Sequence, residues 1–514
     1  MDGQEDRHGH WDPFGRPLFD DPKARALSRV GVVDIGSNSV RLVVFDGAAR
    51  SPAYFYNEKV MCGLGEGMSE TGRLNPEGRE RALRAMLRFR RLAEGMDLPD
   101  LTVVATAAMR DASDGPEFRQ VLELATGLKV WVIDGSEEAR LSAQGVLLGW
   151  PGSYGLVCDI GGSSMELAEI HDGEVGRRIT SPLGPFKLRD LDGGRKTRER
   201  LIRQEMERLA DHMGPQRDRL FLVGGSWRAL ARIDMHRRGY PLQVLHEYRM
   251  DTEAVRETLA YLEGKDHDAL RRACGVSGAR MALVPLAGEV LTQVVQTFEP
   301  SDIAISSYGI REGLLYEQMP QELRDRDPLI EACRFAEVKD ARMPGFGAIL
   351  YDFVLPLFPD AGPTRRRLIH AACLLHDVSW RAHPDYRAEV CFDNATRANL
   401  GGLKHWERVF LGLALLHRYR NKREGTRFED LFALLDDAHK REAEVLGKAL
   451  RFGAMLWTLE PGDQGPRLVW DKDSRSLKLR LDPQSAPIYG EVTEARFKSL
   501  AESLEASSYQ VEIG

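Results

Sequence analysis

Apolar positions along this chain follow two periods, and the switch between them marks its elements. Short apolar or alternating runs at 31–35, 40–46, 101–105, 130–133, 154–160, 220–223 and 303–307 predict strands. Between them, apolar residues recur every three to four positions at 75–94, 136–148, 197–213 and 279–296, which predicts helices. In the first of these, Asn75 is placed to cap the helix and Pro76 to open it, with Leu83, Met86, Leu87 and Leu92 expected on one face. Residues 1–28 show no hydrophobic period and read as a disordered tail. From 320 to 328 the chain is polar and charged, as a linker is, and beyond it the helical period dominates at 329–338, 345–358, 364–377, 405–419 and 441–452. A β-like stretch at 467–492 carries a hairpin between 468–470 and 477–481. The pattern thus predicts a tail at 1–28, an α/β lobe at 29–150, a second α/β lobe at 151–318, and a mainly helical domain with a small β-containing end at 319–514.

The sharpest break in the pattern is CDIGGSSMELAEI at 158–170, where an apolar run stops at Gly161 and Gly162 and then resumes as an alternation. This is a tight hairpin. Its glycines are free to take positive φ, and Ser163 and Ser164 add hydroxyl donors, so the turn is suited to a phosphate. Asp159 before it and Glu166 after it would repel a bare phosphate unless a hard cation lay between, which implies Mg²⁺. The same design occurs at 33–43, VDIGSNSVRLV, with an offset of 125 residues. Asp34 falls on Asp159, Gly36 on Gly161, Ser39 on Ser164 and Arg41 on Glu166, with Ser37 and Asn38 inside the turn. An isolated Asp-Ile-Gly is a common turn tripeptide, but two copies with matching flanks read as two related lobes that share a phosphate cleft.

Three other loops end strands. Arg110 follows the strand at 101–105, where an open α/β sheet presents loops to a cleft, although a lone arginine there reads equally as a surface ion pair. Glu137 and Glu138 open the helix after the strand at 130–133, with Ser136 as the expected cap, and acidic residues in a first turn are also what the helix dipole favours. Strand 220–223 delivers Gly224, Gly225 and Ser226 to a helix N-terminus, a third phosphate-facing turn.

Composition narrows the partners. Net charge is −7, which argues against a dedicated nucleic-acid binder and requires a local basic channel for any polyanion. The six cysteines contain no CxxC pair and sit in apolar runs, as in a reduced cytoplasm. No 18-residue apolar segment and no leader-like N-terminus is evident, so neither membrane spanning nor export is expected.

The two hairpins resemble those of the actin, hexokinase and Hsp70-like superfamily. Together with ATAAMRDA at 105–112, IDGSEEARLSAQGV at 133–146, LVGGS at 222–226 and YGIREGLLYE at 308–317, they resemble the exopolyphosphatase and guanosine pentaphosphate phosphatase (Ppx/GppA) family over roughly residues 30–318. The resemblance implies two actin-like, ribonuclease H-like lobes around a cleft, followed by an HD-like helical domain, in a cytoplasmic homodimer of the kind active in the stringent response. It implies release of terminal orthophosphate from inorganic polyphosphate or of the 5′ γ-phosphate from guanosine pentaphosphate. Glu138 would be the general base, Arg110 a phosphate contact, and Asp34, Asp159 and Glu166 the Mg²⁺ ligands. Arg280 and Arg311 match family arginines, whereas Trp227 and Arg228 stand where small or hydroxyl residues are usual. Two other classes share these motifs: an ATP-dependent kinase of the superfamily, and a non-catalytic sensor of polyphosphate or guanosine tetraphosphate. In the helical domain, His376-Asp377 resembles an HD dyad, but Tyr351, His370, His405 and His417 do not complete the ligand set, so a degenerate HD domain is expected. The clusters Arg365–Arg367 and Arg418, Arg420, Lys422 and Arg423 would then line a channel or simply face solvent.

Overall fold

The computed structural model describes residues 29–46, 50–98, 101–456 and 465–514. The tail expected at 1–28 lies outside the described residues. Two compact units result, one ending at Arg326 and the other running from Asp327 to Gly514.

The first unit holds two sheets. Strands β1 (Val30–Ile35), β2 (Ser39–Phe45), β3 (Tyr54–Met61), β4 (Thr102–Ala105) and β5 (Val130–Val132) form a sheet of order β3-β2-β1-β4-β5. Its β1–β2–β3 half is antiparallel and its β1–β4–β5 half parallel. Helix α1 (Pro76–Gly95) packs on it, capped by Asn75, whose side chain accepts from the Gly78 amide at 2.8 Å. Its buried face is Ala82, Ala85, Met86, Phe89 and Ala93; of the face expected, Met86 is buried and Leu83 and Leu92 are partly buried against the core, while Leu87 is exposed to solvent. Small residues decide this: a Cβ on Gly78 would stand 3.0 Å from the Cys62 and Gly63 carbonyls, so the small side is the one that fits close to the sheet. Two short helices follow, α2 (Ala107–Asp111) directly after Thr106, and α3 (Gly115–Thr126). Helix α4 (Gly135–Gly149) then closes this lobe.

The second sheet contains β6 (Gly155–Ile160), β7 (Met165–His171), β8 (Glu174–Ser181), β9 (Arg219–Val223), β10 (Arg249–Met250) and β11 (Asp302–Ile305), in the order β10-β11-β9-β6-β7-β8. Around it lie α5 (Gly194–Met213), α6 (Gly225–Arg237), α7 (Thr252–Glu263), α8 (Val284–Phe298) and α9 (Ile310–Gln318). The apolar helix expected over 279–296 is broken at Ala282 and Leu283. Contrary to the sequence reading, Gly278–Phe298 is long and apolar enough by length and composition to cross a membrane. Its Val284, Val290, Leu291 and Val294 are buried in the core of this lobe with Trp227, which accounts for the apolarity. Neither β3 nor β8 was legible as an apolar run, because each lies at a sheet edge with most residues partly or fully exposed.

Helices α4 and α9 touch backbone to backbone. A Cβ on Gly145 would meet the Gly309 carbonyl at 2.2 Å, and one on Gly313 the Leu141 carbonyl at 1.8 Å. The pair brings the end of the 308–317 motif beside the 133–146 motif.

The second unit is mainly helical, with α10 (Pro328–Asp340), α11 (Phe346–Val354), α12 (Pro363–Leu375), α13 (Arg387–Arg397), α14 (His405–His417) and α15 (Asp437–Gly453). A three-stranded sheet completes it: β12 (Arg467–Asp471) and β13 (Ser476–Leu481) form an antiparallel hairpin, and past α16 (Glu491–Ser503), β14 (Ser508–Ile513) adds in parallel to β13. At the HD-like dyad, both Asp377 oxygens are held by Arg342, at 2.5 and 2.8 Å, and His376 Nδ1 lies 2.7 Å from the Cys373 carbonyl. Burial pushes the His376 imidazole down to about 4, so it stays neutral. Among the described residues no three histidine, cysteine, aspartate or glutamate side chains are grouped to hold a metal.

Candidate active site

The two hairpins are built alike to the level of single hydrogen bonds. Asp34 pairs with Arg41 across β1 and β2, and Asp159 with Glu166 across β6 and β7. In each turn the first glycine amide donates to the second serine carbonyl, Gly36 to Ser39 and Gly161 to Ser164, both at 3.0 Å. The turns meet: Ser163 Oγ donates to Ser37 Oγ at 3.2 Å. Gly36, Gly161 and Gly162 do not adopt the positive φ that the sequence suggested; a Cβ on Gly162 would instead strike the Phe186 ring at 2.9 Å. Only the third turn uses that freedom, with Gly224 at φ 113°, where a Cβ would lie 2.4 Å from the Ile160 carbonyl.

These three turns line one cavity of about 190 Å³. Asp34, Gly36, Ser37, Ser39, Glu138, Asp159, Gly161, Gly162, Ser163, Ser164, Gly224 and Gly225 all face it. Asn38, Arg110, Glu166 and Ser226 do not. The Asn38 carbonyl instead accepts the Cys62 and Gly63 amides, which ties its turn to the chain after β3, and Ser226 is fully buried.

The acidic side of the cavity is dominated by burial. Asp134 caps α4 by accepting the Glu137 amide at 2.8 Å, displacing Ser136 from that role; the Ser136 hydroxyl accepts from Arg178. Glu137 turns outward to Arg140 and Glu138 is buried on the inward side of the first turn of α4. Glu138 Oε2 accepts from Arg110 at 3.4 Å, and Arg110 also holds Asp111. Burial, followed by the charges of Glu166 and Asp159, drives the Glu138 carboxyl well above the usual range. Glu166 is pushed up to about 8, again by burial first and Asp159 second. Thr180 donates to its Oε1 at 2.9 Å, while its buried Oε2 has no hydrogen-bond partner. Asp159 is raised as well, opposed by the Ser142 hydroxyl that donates to it. Three buried carboxylates thus disfavour one another's charge, a donor set that gains from a divalent cation. Asp34, the third ligand expected from sequence, faces the same cavity, and its Oδ2 accepts from Arg311 at 3.0 Å. Among the described residues no three such side chains are grouped closely enough to hold an ion by themselves, so the remaining ligands of any cation would be water or phosphate oxygens.

The cavity also holds a group of cations. Arg41, Lys59, Arg228, Arg280 and Arg311 line the same cavity. Burial and the neighbouring cations lower Arg41 to about 10 and Lys59 to about 8. Arg228 donates from Nε to the Ser306 carbonyl at 2.9 Å, and burial followed by Arg311 lowers it too. Sequence reasoning had set Arg228 aside as a departure and passed over Lys59, which an edge strand brings in from outside any motif. Arg41 carried a signal in its alignment with Glu166: the same position supplies a cation in one lobe and a carboxylate in the other. A small cavity lined by glycine-serine turns, five cations and buried carboxylates suits a polyphosphorylated anion and the activation of water beside it.

The Ppx/GppA phosphatase family profile matches residues 43–322, and a profile described as exopolyphosphatase, C-terminal, matches residues 330–509. The chain is 25% identical over 450 residues to Retrograde regulation protein 2 of Saccharomyces cerevisiae, covering 78% of this chain and 74% of that one. It is 24% identical over 327 residues to Exopolyphosphatase 1 of Mycobacterium tuberculosis, covering 59% of this chain and 92% of the relative. Among solved structures, an exopolyphosphatase from Cytophaga hutchinsonii superposes with a TM-score of 0.50 at 23% identity, over 56% of this chain and 96% of that one, a likeness of fold.

Proposed function

Because the chain belongs to the Ppx/GppA phosphatase family, we propose that its cavity hydrolyses the terminal phosphoanhydride of inorganic polyphosphate, with guanosine pentaphosphate as a further substrate. The observation that carries this reading is Glu138, turned into a buried carboxylate cluster beside two phosphate-sized turns that meet at Ser37 and Ser163. The family and C-terminal profiles and the exopolyphosphatase relatives support polyphosphate as the substrate class.

In this reading the amides and hydroxyls at 36–39, 161–164 and 224–225 cradle the terminal phosphoryl group. Arg41, Lys59, Arg228, Arg280 and Arg311 neutralise the chain behind it. Glu138 orients a water in line with the departing oxygen and accepts its proton as the new P–O bond forms and the anhydride P–O bond breaks. Arg110 fixes the Glu138 carboxylate from behind and opposes its protonation. Asp159 and Glu166 would hold Mg²⁺, which when bound supplies charge neutralisation to the phosphate oxygens and lets the carboxylates ionise together.

The test is phosphate release by the purified protein with Mg²⁺ from long polyphosphate, guanosine pentaphosphate and ATP, alongside Glu138→Ala. The variant is expected to lose at least ~10²-fold in rate, the low end of a positioned general base. An unchanged rate would remove Glu138 from the mechanism. One observation favours a second reading, a non-catalytic sensor of polyphosphate or guanosine tetraphosphate: the relative matched over the longest stretch of this chain among those compared carries a regulatory name. Tight binding with no release from any of the three substrates would select it.

A further inference from the structure

Arg110 holds Glu138 and is itself held. Its Nη1 donates to Glu138 Oε2 at 3.4 Å and to the Ile133 carbonyl at 3.3 Å, and its Nε donates to Asp111 Oδ1 at 3.0 Å. Side chains one position apart in a helix do not face each other. Asp111 turns back because α2 ends there, with Ala112 already extended at φ −76° and ψ 137°. The end is fixed in place: a Cβ on Gly115 would lie 2.0 Å from the Met109 carbonyl, so the chain folds tightly against α2. Burial works against the Arg110 charge, and Asp111, followed by Glu138, outweighs it.

The other oxygen of Asp111 leads across the cleft. Its Oδ2 lies 3.5 Å from Lys187 Nζ, on a short helix, Pro185–Arg189, that follows β8. That helix is locked to the second phosphate turn. The Phe186 amide donates to the Gly162 carbonyl at 2.9 Å, and a Cβ on Gly184 would lie 2.2 Å from the Ser163 backbone carbon. Lys187 is therefore carried by the turn at 161–164. Charges alternate along the path from Lys187 through Asp111 and Arg110 to Glu138, and neither Lys187 nor Asp111 lines the cavity.

We propose that Asp111 and Lys187 are positioning residues for the Glu138 base, through which the second phosphate turn sets Arg110 and thereby the direction of the Glu138 carboxylate. The proposal rests on the reading of Glu138 as the base. Lys187 comes from the lobe that holds the turn, and Asp111, Arg110 and Glu138 from the lobe that holds the base. The path is complete only when the two lobes meet, so the base is aimed in the same arrangement that seats the phosphate. At 39% and 32% side-chain exposure the Lys187–Asp111 pair contributes little to stability, and its effect belongs to the rate.

Steady-state phosphate release from long polyphosphate with Mg²⁺ tests this. Asp111→Asn is expected to lower kcat about tenfold, the scale of a lost hydrogen bond to a charged group. Lys187→Met should lower it about threefold to fivefold, the upper range for a partly exposed pair. KM should stay unchanged in both, because neither side chain reaches the substrate. Lys187→Arg should restore the native rate. The double variant should be no slower than Asp111→Asn alone, since the two residues act in series. Ser69→Ala, which removes the neighbouring cross-lobe hydrogen bond from Ser69 to Asp190 at 3.0 Å, should keep the native kcat. A native kcat in Asp111→Asn, additive losses in the double variant, a rise in KM as large as the fall in kcat, or an equal loss in Ser69→Ala would each overturn the proposal while leaving Glu138 as the base. A native chain that releases no phosphate would overturn the reading of the site and this proposal with it.

Discussion

At the scale of single residues, the site is a set of charges held against their preference. Glu166 is the clearest case. Its folded value of about 8 lies above that of an exposed glutamate, so the folded state binds the extra proton. That contribution to stability is complete below the unfolded value and is lost as pH rises through about 8. In metal-free buffer the melting temperature should therefore fall between pH 6 and pH 9, and Glu166→Gln should flatten the fall. Parallel curves for the two proteins would show that Glu166 does not ionise in this window. Glu138 is shifted in the same direction, and as a base it works only when deprotonated, so the rate should climb with pH through its elevated titration. Glu137→Gln is expected to retain nearly the full rate, since Glu137 is engaged with Arg140 outside the cavity; a loss as large as that of Glu138→Ala would mean the two roles are exchanged. The family resemblance singled out Glu138 over Glu137, but the cap that orients them was misassigned: Asp134 takes it, not Ser136.

At the scale of elements, the strand–turn–strand units were legible because a glycine-serine turn between apolar runs has few alternatives. Both hairpins and the turn after β9 fall where the sequence placed them. Edge strands β3 and β8 were not legible, since exposure to solvent removes the apolar run that marks a strand. With β3 went Lys59, one of the five cations that line the cavity. The approach of α4 to α9 was equally hidden, although it aligns Glu138 with the rest of the site. Gly145→Ala and Gly313→Ala should each destabilise the protein by about 1–3 kcal/mol, the range for overpacking, and lower the rate by tilting α4. Denaturant unfolding measures the first effect, and an unshifted midpoint would contradict the backbone contact.

At the scale of the whole molecule, the residues lining the cavity all belong to the unit ending at Arg326. A polyphosphate that binds there should raise the melting of that unit, by about 2.7 kcal/mol at a hundredfold excess over its dissociation constant. Calorimetry should then show one transition moving while the helical unit's stays; a single transition moving as a whole would mean that the units unfold together. At the HD-like dyad Arg342, 35 positions away, holds both Asp377 oxygens. Local structure was thus determined by the sequence alone: where the glycine-serine turns fall, which strands flank them, and that two copies of the design exist. Those properties depend on residues a few positions apart, where backbone sterics leave little choice. What only the tertiary structure decided is which charges meet. Arg311 reaches Asp34 across 277 positions and Ser163 reaches Ser37 across 126, and such pairings follow from how sheets and helices pack rather than from any spacing along the chain.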